Sequence, residues 1–396
     1  MILNIIYRDA IIGTLRTTAD QGIVFSYNEN ATRPISISMD DLDRTYTEKQ
    51  CMPFFDGLLP EGNIRRQIAD LAHVPYTSTI RLLASYGQDI AGALTIVEGE
   101  GTDSTGTNGY EEISVDSIHQ RLKAKVSVPL IYAGHKTKLS LAGAESKIPL
   151  LYKDDRFYLP TGSSPSNYII KACDEFVQNE YLCTTLASLC SLPVSEMTIH
   201  QFGDVQALLI KRYDRQREDG ALIRLHQEDF CQALGIMPEN KYEESGGPGL
   251  TRSLELIQLY STTPENDIRQ FLMMSMFNFL IGNGDAHGKN YSFLYDSHLG
   301  ERRLAPFYDI VCSSIDERFD TRMAMKISNE RRLSRITRHN FESAAPKNLM
   351  KILTEELLVR FPAAMEELKA QVSPELLPLL LHIEKDSKSR QEALST

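Results

Sequence analysis

The chain has 396 residues, with 53 acidic and 42 basic side chains and a net charge of −11. At about 100–200 residues per domain this length gives two or three folding units, with core enough to do without disulfides or a structural metal. The acidic balance excludes a protein that coats nucleic acid through overall charge, while leaving room for a local basic patch.

The N-terminal stretch Met-Ile-Leu-Asn-Ile-Ile-Tyr lacks a basic leader and is too short for a signal peptide. Leu3 to Tyr7 and Ile11 to Arg16, around Arg8-Asp9-Ala10, predict a β-hairpin. Gly22 to Tyr27 and Ile35 to Met39 continue as strands. From Phe54 the spacing becomes helical, through Ile64 to Leu71 and Ser78 to Tyr86. Residues 99–109, GEGTDSTGTNG, carry no apolar side chain and predict a loop at a domain boundary.

Lys147 to Tyr152, Arg156 to Leu159 and Asn167 to Lys171 predict strands. Leu182, Leu186 and Leu189 give Glu175 to Cys190 helical spacing. Met197 to Gln201 and Val205 to Ile210 form a second hairpin pattern around Phe202-Gly203-Asp204. Beyond residue 225 the chain reads as mostly helical, at 226–234, 249–260, 265–281, 346–360 and 375–384, with strands only at 291–295 and 302–306. A β-rich block followed by a helix-rich block implies an α+β protein with two lobes. The most apolar stretch, Phe271 to Ile281, is about half the ~20 residues of a spanning helix and reads as a core helix. Lys326, Arg331, Arg332, Arg335 and Arg338, set against Glu330, read as a solvated helix face. The cysteines at 51, 173, 183, 190, 231 and 312 form no CxxC pair, which removes zinc-finger and redox-motif readings and leaves buried thiols of a reducing compartment.

The segment most informative about chemistry is Gly284-Asp285-Ala286-His287-Gly288-Lys289-Asn290, between the apolar helix and a strand. Phosphoryl transfer needs a carboxylate to orient the attacking hydroxyl and a nearby Asn oxygen to hold magnesium. Asp285 and Asn290 have the spacing that protein-kinase catalytic loops use. A second hard oxygen ligand is available at Asp309, in Pro306-Phe307-Tyr308-Asp309-Ile310, at the far end of a hairpin that begins at Asn290. His287 has no partner at metal-binding spacing and reads as structural or phosphate-contacting. Ser140-Leu141-Ala142-Gly143-Ala144-Glu145-Ser146-Lys147 offers small residues whose amides can approach phosphate. Lys171 ends a strand within reach of phosphates, with Glu180 as a pairing candidate and Asp174 and Glu175 as rivals. Lys211-Arg212-Tyr213, between the two blocks, is placed for a hinge whose backbone holds adenine. Ser245-Gly246-Gly247-Pro248-Gly249 is Gly-rich, but Pro248 removes a donor and no Gly-Lys-Ser/Thr follows, so it reads as a loop and helix start.

Together these segments resemble the HipA family of serine/threonine kinases, the toxin half of HipBA-type toxin–antitoxin modules. The resemblance rests on Phe54 to Gly62, Ser140 to Lys147, Asn179-Glu180-Tyr181, Arg212 to Arg215, Gln227-Glu228-Asp229, Gly246 to Gly249, Gly284 to Asn290 and Pro306 to Ile310, in the family's order. It implies a bilobal protein-kinase-like fold. A small HipA N-terminal subdomain would occupy residues 1–110, a β-rich N-lobe 125–213 and a mainly helical C-lobe 214–396. Asp285 is then the catalytic base, and Asn290 and Asp309 hold Mg2+. Ala142, Gly143, Ala144, Glu145, Ser146 and Lys147 form the phosphate loop. Lys171 contacts ATP phosphate, and the backbone of Lys211, Arg212 and Tyr213 holds adenine. His287, Gly288, Lys289 and Asn290, with Tyr308, Asp309, Ile310 and Val311, complete the nucleotide site. Ser140 aligns with a serine whose autophosphorylation switches such kinases off. The implied partners are a small helix-turn-helix antitoxin, DNA through that complex only, and an aminoacyl-tRNA synthetase as substrate, in the cytoplasm and with no membrane. Glu145 departs from a common Gln, and Lys211 from a common acidic residue. The last 50 residues match less clearly. A small-molecule phosphotransferase and a catalytically silent co-repressor are the competing readings.

Overall fold

The computed structural model describes all residues except 21, 100–107, 124–146, 173–174 and 316–320. Ser140, Ala142 to Ser146, Cys173, Asp174 and most of the 99–109 loop therefore lie outside the described residues. The chain divides into two compact units. One comprises Met1–Cys173, Glu196–Pro238 and Leu294–Glu301; the other comprises Asp174–Ser195, Glu239–Phe293 and Arg302–Thr396.

The two larger sheets of the first unit are antiparallel. Five strands run in the order Thr45–Tyr46, Gly22–Tyr27, Ala10–Thr18, Ile2–Tyr7, Leu94–Glu98. The first hairpin closes on Arg8 and Asp9, both at positive φ (46° and 61°), as a two-residue type I′ turn requires. Six further strands run in the order Met197–Phe202, Val205–Lys211, Tyr168–Ala172, Lys147–Lys153, Arg156–Thr161, Gly109–Ile113. Ile148, Leu150, Phe157, Ile170 and Leu209 of this sheet share a core with Ile118 and Leu122 of the helix Val115–Lys123. Helices Glu48–Gly57, Gly62–Ala72 and Thr79–Tyr86 belong to the first sheet's half of the unit. The earliest starts at the Thr47/Gln50 capping box, ahead of the expected Phe54.

Two expectations in this unit are corrected, and one element goes beyond them. Ile35 to Met39 is not a strand, because Ile37–Met39 is a 3-10 turn. Ser36 Oγ and Ile37 N donate to the Glu228 carboxylate at 2.6 and 3.0 Å, and that distant partner pulls the segment out of a ladder. Residues 226–234 are extended at Gln227–Asp229 and helical only over Phe230–Ala233, since Asp229 accepts from Gln232 N at 2.9 Å and caps the helix there. The polar hairpin Arg215–Glu218/Ala221–Arg224 was not anticipated, although its Asp219-Gly220 loop suits a type I′ turn.

The second unit is mainly helical. Pro264–Ile281 is its central helix, buried at every position from Phe271 onward as its composition implies. It packs on Leu250–Tyr260, Lys347–Gln371 and Leu377–Ser395. The helix expected over 346–360 continues to Gln371 through Pro362. The buried stripe Leu357, Phe361, Ala364, Met365, Leu368 keeps helical spacing across the proline, with Phe361 edge-on to Phe277 at 5.9 Å. The last helix runs to Ser395 rather than stopping near 384. The basic run is not one helix face: Arg322–Ile327 and Glu330–Arg332 form a hairpin, and a helix begins only at Arg338. Arg331 there pairs with Glu244 at 2.7 Å.

The five described cysteines are buried free thiols, and burial pushes Cys51 and Cys190 up to about 12 and Cys312 to about 11. Among the described residues no helix is long and apolar enough to cross a membrane.

Candidate active site

The loop carrying Asp285 is built outward from the end of the central helix. Gly282, at φ +73°, ends that helix, and Asn283 N closes back to Asn278 O at 2.8 Å. The buried Asn278 side chain then grips both ends of the loop: its Oδ1 accepts from Asn283 Nδ2 and its Nδ2 donates to Tyr291 Oη, each at 3.0 Å. Within the loop, Asp285 N donates to Asn283 Oδ1 (3.0 Å), His287 N to Asp285 O (2.8 Å) and Asn290 N to His287 O (2.9 Å). Asn290 Nδ2 donates to Asp285 O at 3.2 Å. That bond uses one of the amide's two donors and leaves its acceptor oxygen uncommitted to Asp285.

The Asp285 carboxylate accepts the Tyr242 hydroxyl at 2.5 Å. The Tyr242 ring meets His287 edge-on at 5.0 Å, and Gly288 N donates to Lys241 O at 3.2 Å. The strip Lys241-Tyr242 thus backs the loop from outside, a role that the sequence reading missed. Asn283 was missed too, though an Asn two residues ahead of an Asp is the local signal of an Asx turn.

Asp309 enters on the segment that follows the hairpin. Tyr308 Oη donates to Lys289 O at 2.7 Å and lies 2.6 Å from Ser292 Oγ. Four residues beyond Asp309, Ser313 Oγ accepts from Gly284 N at 2.8 Å. The Asp285 loop and the Asp309 segment are therefore stitched at two places. Asp309 itself sits at φ +52°, a strained setting for a non-glycine residue of the kind that gathers at functional sites. Its flanks are held firmly. Phe307 bridges to Pro193 and Ser195 (2.8 and 2.9 Å), and Asn179 clamps Cys312 through both backbone groups, at 2.8 and 2.9 Å. Ile310 and Val311 are buried behind it. An Asn amide oxygen and an Asp carboxylate are hard donors of the kind that magnesium prefers, so the residues present fit that ion.

In the first unit, Lys171 and Lys147 face each other directly across neighbouring strands. Lys171 is only 3 % exposed. Lys211 N and Arg212 N are spent on Glu196 O and Asn167 O, both at 2.9 Å. The Lys211 ammonium lies 2.8 Å from Glu196, and Arg212 is buried against Asp214. Tyr213 donates its hydroxyl to Gln227. Glu180 is buried on Glu175–Leu189, in the other unit from Lys171.

Family comparison places a HipA N-terminal domain over residues 3–97 and a HipA-like C-terminal domain over residues 139–367. A protein of Sinorhizobium fredii named putative kinase Y4mE is 32% identical over 358 residues, covering 87% of this chain and 85% of the relative. The serine/threonine-protein kinase toxin HipA of Shewanella oneidensis is 30% identical over 352 residues, covering 84% and 80%. The solved Shewanella oneidensis HipA, in a complex with HipB and its operator DNA, superposes with a TM-score of 0.86 at 27% identity, covering 99% of this chain and 97% of that one.

Proposed function

This chain belongs to the HipA family of serine/threonine kinase toxins, with an α+β kinase-like fold, and from that premise we propose that it transfers phosphate from Mg-ATP to a protein hydroxyl. Asp285 is the catalytic base in this reading. It accepts the proton of the incoming hydroxyl, while the Tyr242 hydroxyl and the Asn283 turn hold its carboxylate in place. Asn290 and Asp309 hold magnesium, whose charge, when bound, offsets that of the transferred phosphoryl group. Lys147 and Lys171, with Ala142 to Ser146, contact the ATP phosphates. The backbone of Lys211 to Tyr213 takes the adenine. His287 to Lys289, Tyr308, Ile310 and Val311 line the rest. The observation that carries this reading is the double stitching of the Asp285 loop to the Asp309 segment, through Lys289–Tyr308 and Gly284–Ser313.

The relative solved with HipB and operator DNA supports a small helix-turn-helix antitoxin as partner, with DNA contacted through that complex. Lys326, Arg332 and Arg335 are the exposed members of the basic run available for it. An aminoacyl-tRNA synthetase is the proposed substrate, phosphorylation of Ser140 the proposed off-switch, and the cytoplasm the proposed location.

The test is Asp285→Asn, assayed with labelled ATP on an extract of the source cells. Phosphate transfer is expected to fall by more than about 10²-fold while nucleotide binding persists. Transfer at the wild-type rate refutes the assignment.

A further inference from the structure

The helix Leu377–Ser395 lies beyond the family match, which ends at residue 367. Its inward stripe begins apolar, with Leu380 and Ile383, and then turns polar at Ser387 and Arg390 before Leu394. Arg390 is 6 % exposed. Its Nε donates to Leu280 O at 3.0 Å, one of the last carbonyls of the central helix, which have no partner inside that helix. A cation at that end also meets the negative pole of the helix dipole. The same guanidinium donates through Nη2 to Asp386 Oδ2 at 2.5 Å, and that oxygen also accepts Ser314 Oγ at 2.5 Å. Ser314 N donates to Gly282 O at 3.0 Å. Burial alone would push the Asp386 carboxyl up, but the bonds from Arg390 and Ser314 hold it below the ordinary carboxylate range.

These contacts converge on one point of the backbone. A Cβ on Gly282 would stand 1.9 Å from Ser314 Oγ and 2.9 Å from Arg390 Nη2, so the absence of a side chain there is what lets the two reach each other. Gly282 is three residues before Asp285, and Ser314 five after Asp309. We propose that Asp386 and Arg390 are positioning residues: the C-terminal helix fixes, through Leu280 O and Ser314, the two segments that carry the catalytic base and the metal ligand. This rests on the reading of Asp285 and Asp309 given above. A charge-assisted pair at the root of both segments sets their angle of exit, and a misplacement of about 1 Å at reacting atoms costs up to about 10²-fold in rate.

The test uses full-length Arg390→Met, Arg390→Lys, Asp386→Asn, Ser314→Ala and the Asp386→Asn/Ser314→Ala pair. Lys388→Met, an exposed change on the same helix, and Asp285→Asn serve as controls. Initial rates of phosphate transfer to extract proteins are read against ATP concentration, and magnesium dependence is read by titration with a fluorescent ATP analogue. Arg390→Met is expected to lower the limiting rate about tenfold or more, with the KM for ATP within about twofold. Arg390→Lys is expected to recover part of the loss, since an ammonium can still donate to Leu280 O. The pair is expected to be no slower than the slower of its two single variants, because all three break one contact. A wild-type limiting rate in Arg390→Met, or a loss matched by Lys388→Met, overturns the proposal. If Arg390→Met does not fold, the pair decides, and rate losses that multiply across it count against the shared contact. An active Asp285→Asn sinks the site reading itself, whereas an inactive Asp285→Asn beside an active Arg390→Met sinks only the positioning role.

Discussion

Asp89→Asn should destabilise the first unit by about 3–5 kcal/mol, the scale for breaking one partner out of a buried ion pair. Asp89 is completely buried. Its Oδ1 lies 3.0 Å from both Arg215 and Arg224 and 3.7 Å from Arg212, and its Oδ2 accepts Ser166 Oγ at 2.9 Å. Asp214, equally dry, pairs with Arg212 and Arg215 at 2.8 and 2.9 Å. Three guanidiniums thus share two carboxylates away from water, and burial together with the neighbouring Arg212 pushes Arg215 down to about 10. An asparagine at position 89 removes two charge-assisted bonds worth about 1.5–3 kcal/mol each and turns donors toward donors. For a unit of this size that is a fall in melting temperature of roughly 6–20 °C. The assay is urea denaturation followed by circular dichroism, with hydrogen exchange at residues 88–92 and 212–215 to locate the loss. Burial pushes the Asp89 carboxyl up, but Arg224, Arg212 and Arg215 outweigh it and hold the group below its usual range, and Asp214 is held low in the same way. A depressed carboxylate contributes stability that is present above about pH 4 and lost as pH falls through the folded-state values. The wild-type chain should therefore weaken in acid below about pH 4, and the variant should show less of that dependence. By contrast, Arg8–Glu218, a 3.5 Å pair with side chains 41% and 47% exposed, should cost under about 1 kcal/mol when broken. A loss below about 1 kcal/mol in Asp89→Asn would refute the reasoning.

Two further outcomes follow from the site. Asp309→Ala should weaken magnesium-dependent nucleotide binding by at least about tenfold, the lower bound for disturbing a metal's surroundings; affinity unchanged across a magnesium titration would remove Asp309 from the ligand set. Active chain incubated with Mg-ATP should acquire phosphate on Ser140, detected by mass spectrometry, and the modified chain should bind ATP poorly because the phosphate adds about −1.5 to −2 charge beside the nucleotide's own. Active enzyme that never gains phosphate there would place regulation elsewhere.

Much of the fold was readable because its signals are local. Alternating apolar residues and short polar turns marked the hairpins at Ile2–Tyr7/Ala10–Thr18 and Met197–Phe202/Val205–Lys211, within two residues of the observed ends. The errors fall where a distant partner overrides a local pattern. Ile-Ser-Ile-Ser-Met alternates like a strand, yet Glu228 draws Ser36 and Ile37 into a 3-10 turn. The helix expected to end at residue 360 runs on through Pro362, with Phe361 packed against Phe277.

The sequence by itself determined the α+β division and marked the two segments, Gly284 to Asn290 and Pro306 to Ile310, that the fold joins through Lys289–Tyr308 and Gly284–Ser313. Both depend on contacts between near neighbours, whose geometry is set by backbone period and turn chemistry. Only the tertiary structure decided what holds those residues in place. Tyr242 behind Asp285, Asn179 on Cys312, and Asp386 with Arg390 at the root of both loops look like ordinary surface polar residues in a linear reading. So do Asp89, Arg212, Asp214 and Arg215, which the fold buries together with Arg224 half-buried beside them. A charged or amide side chain carries no mark of whether water or a partner a hundred residues away will satisfy it; that is settled only when the chain has packed.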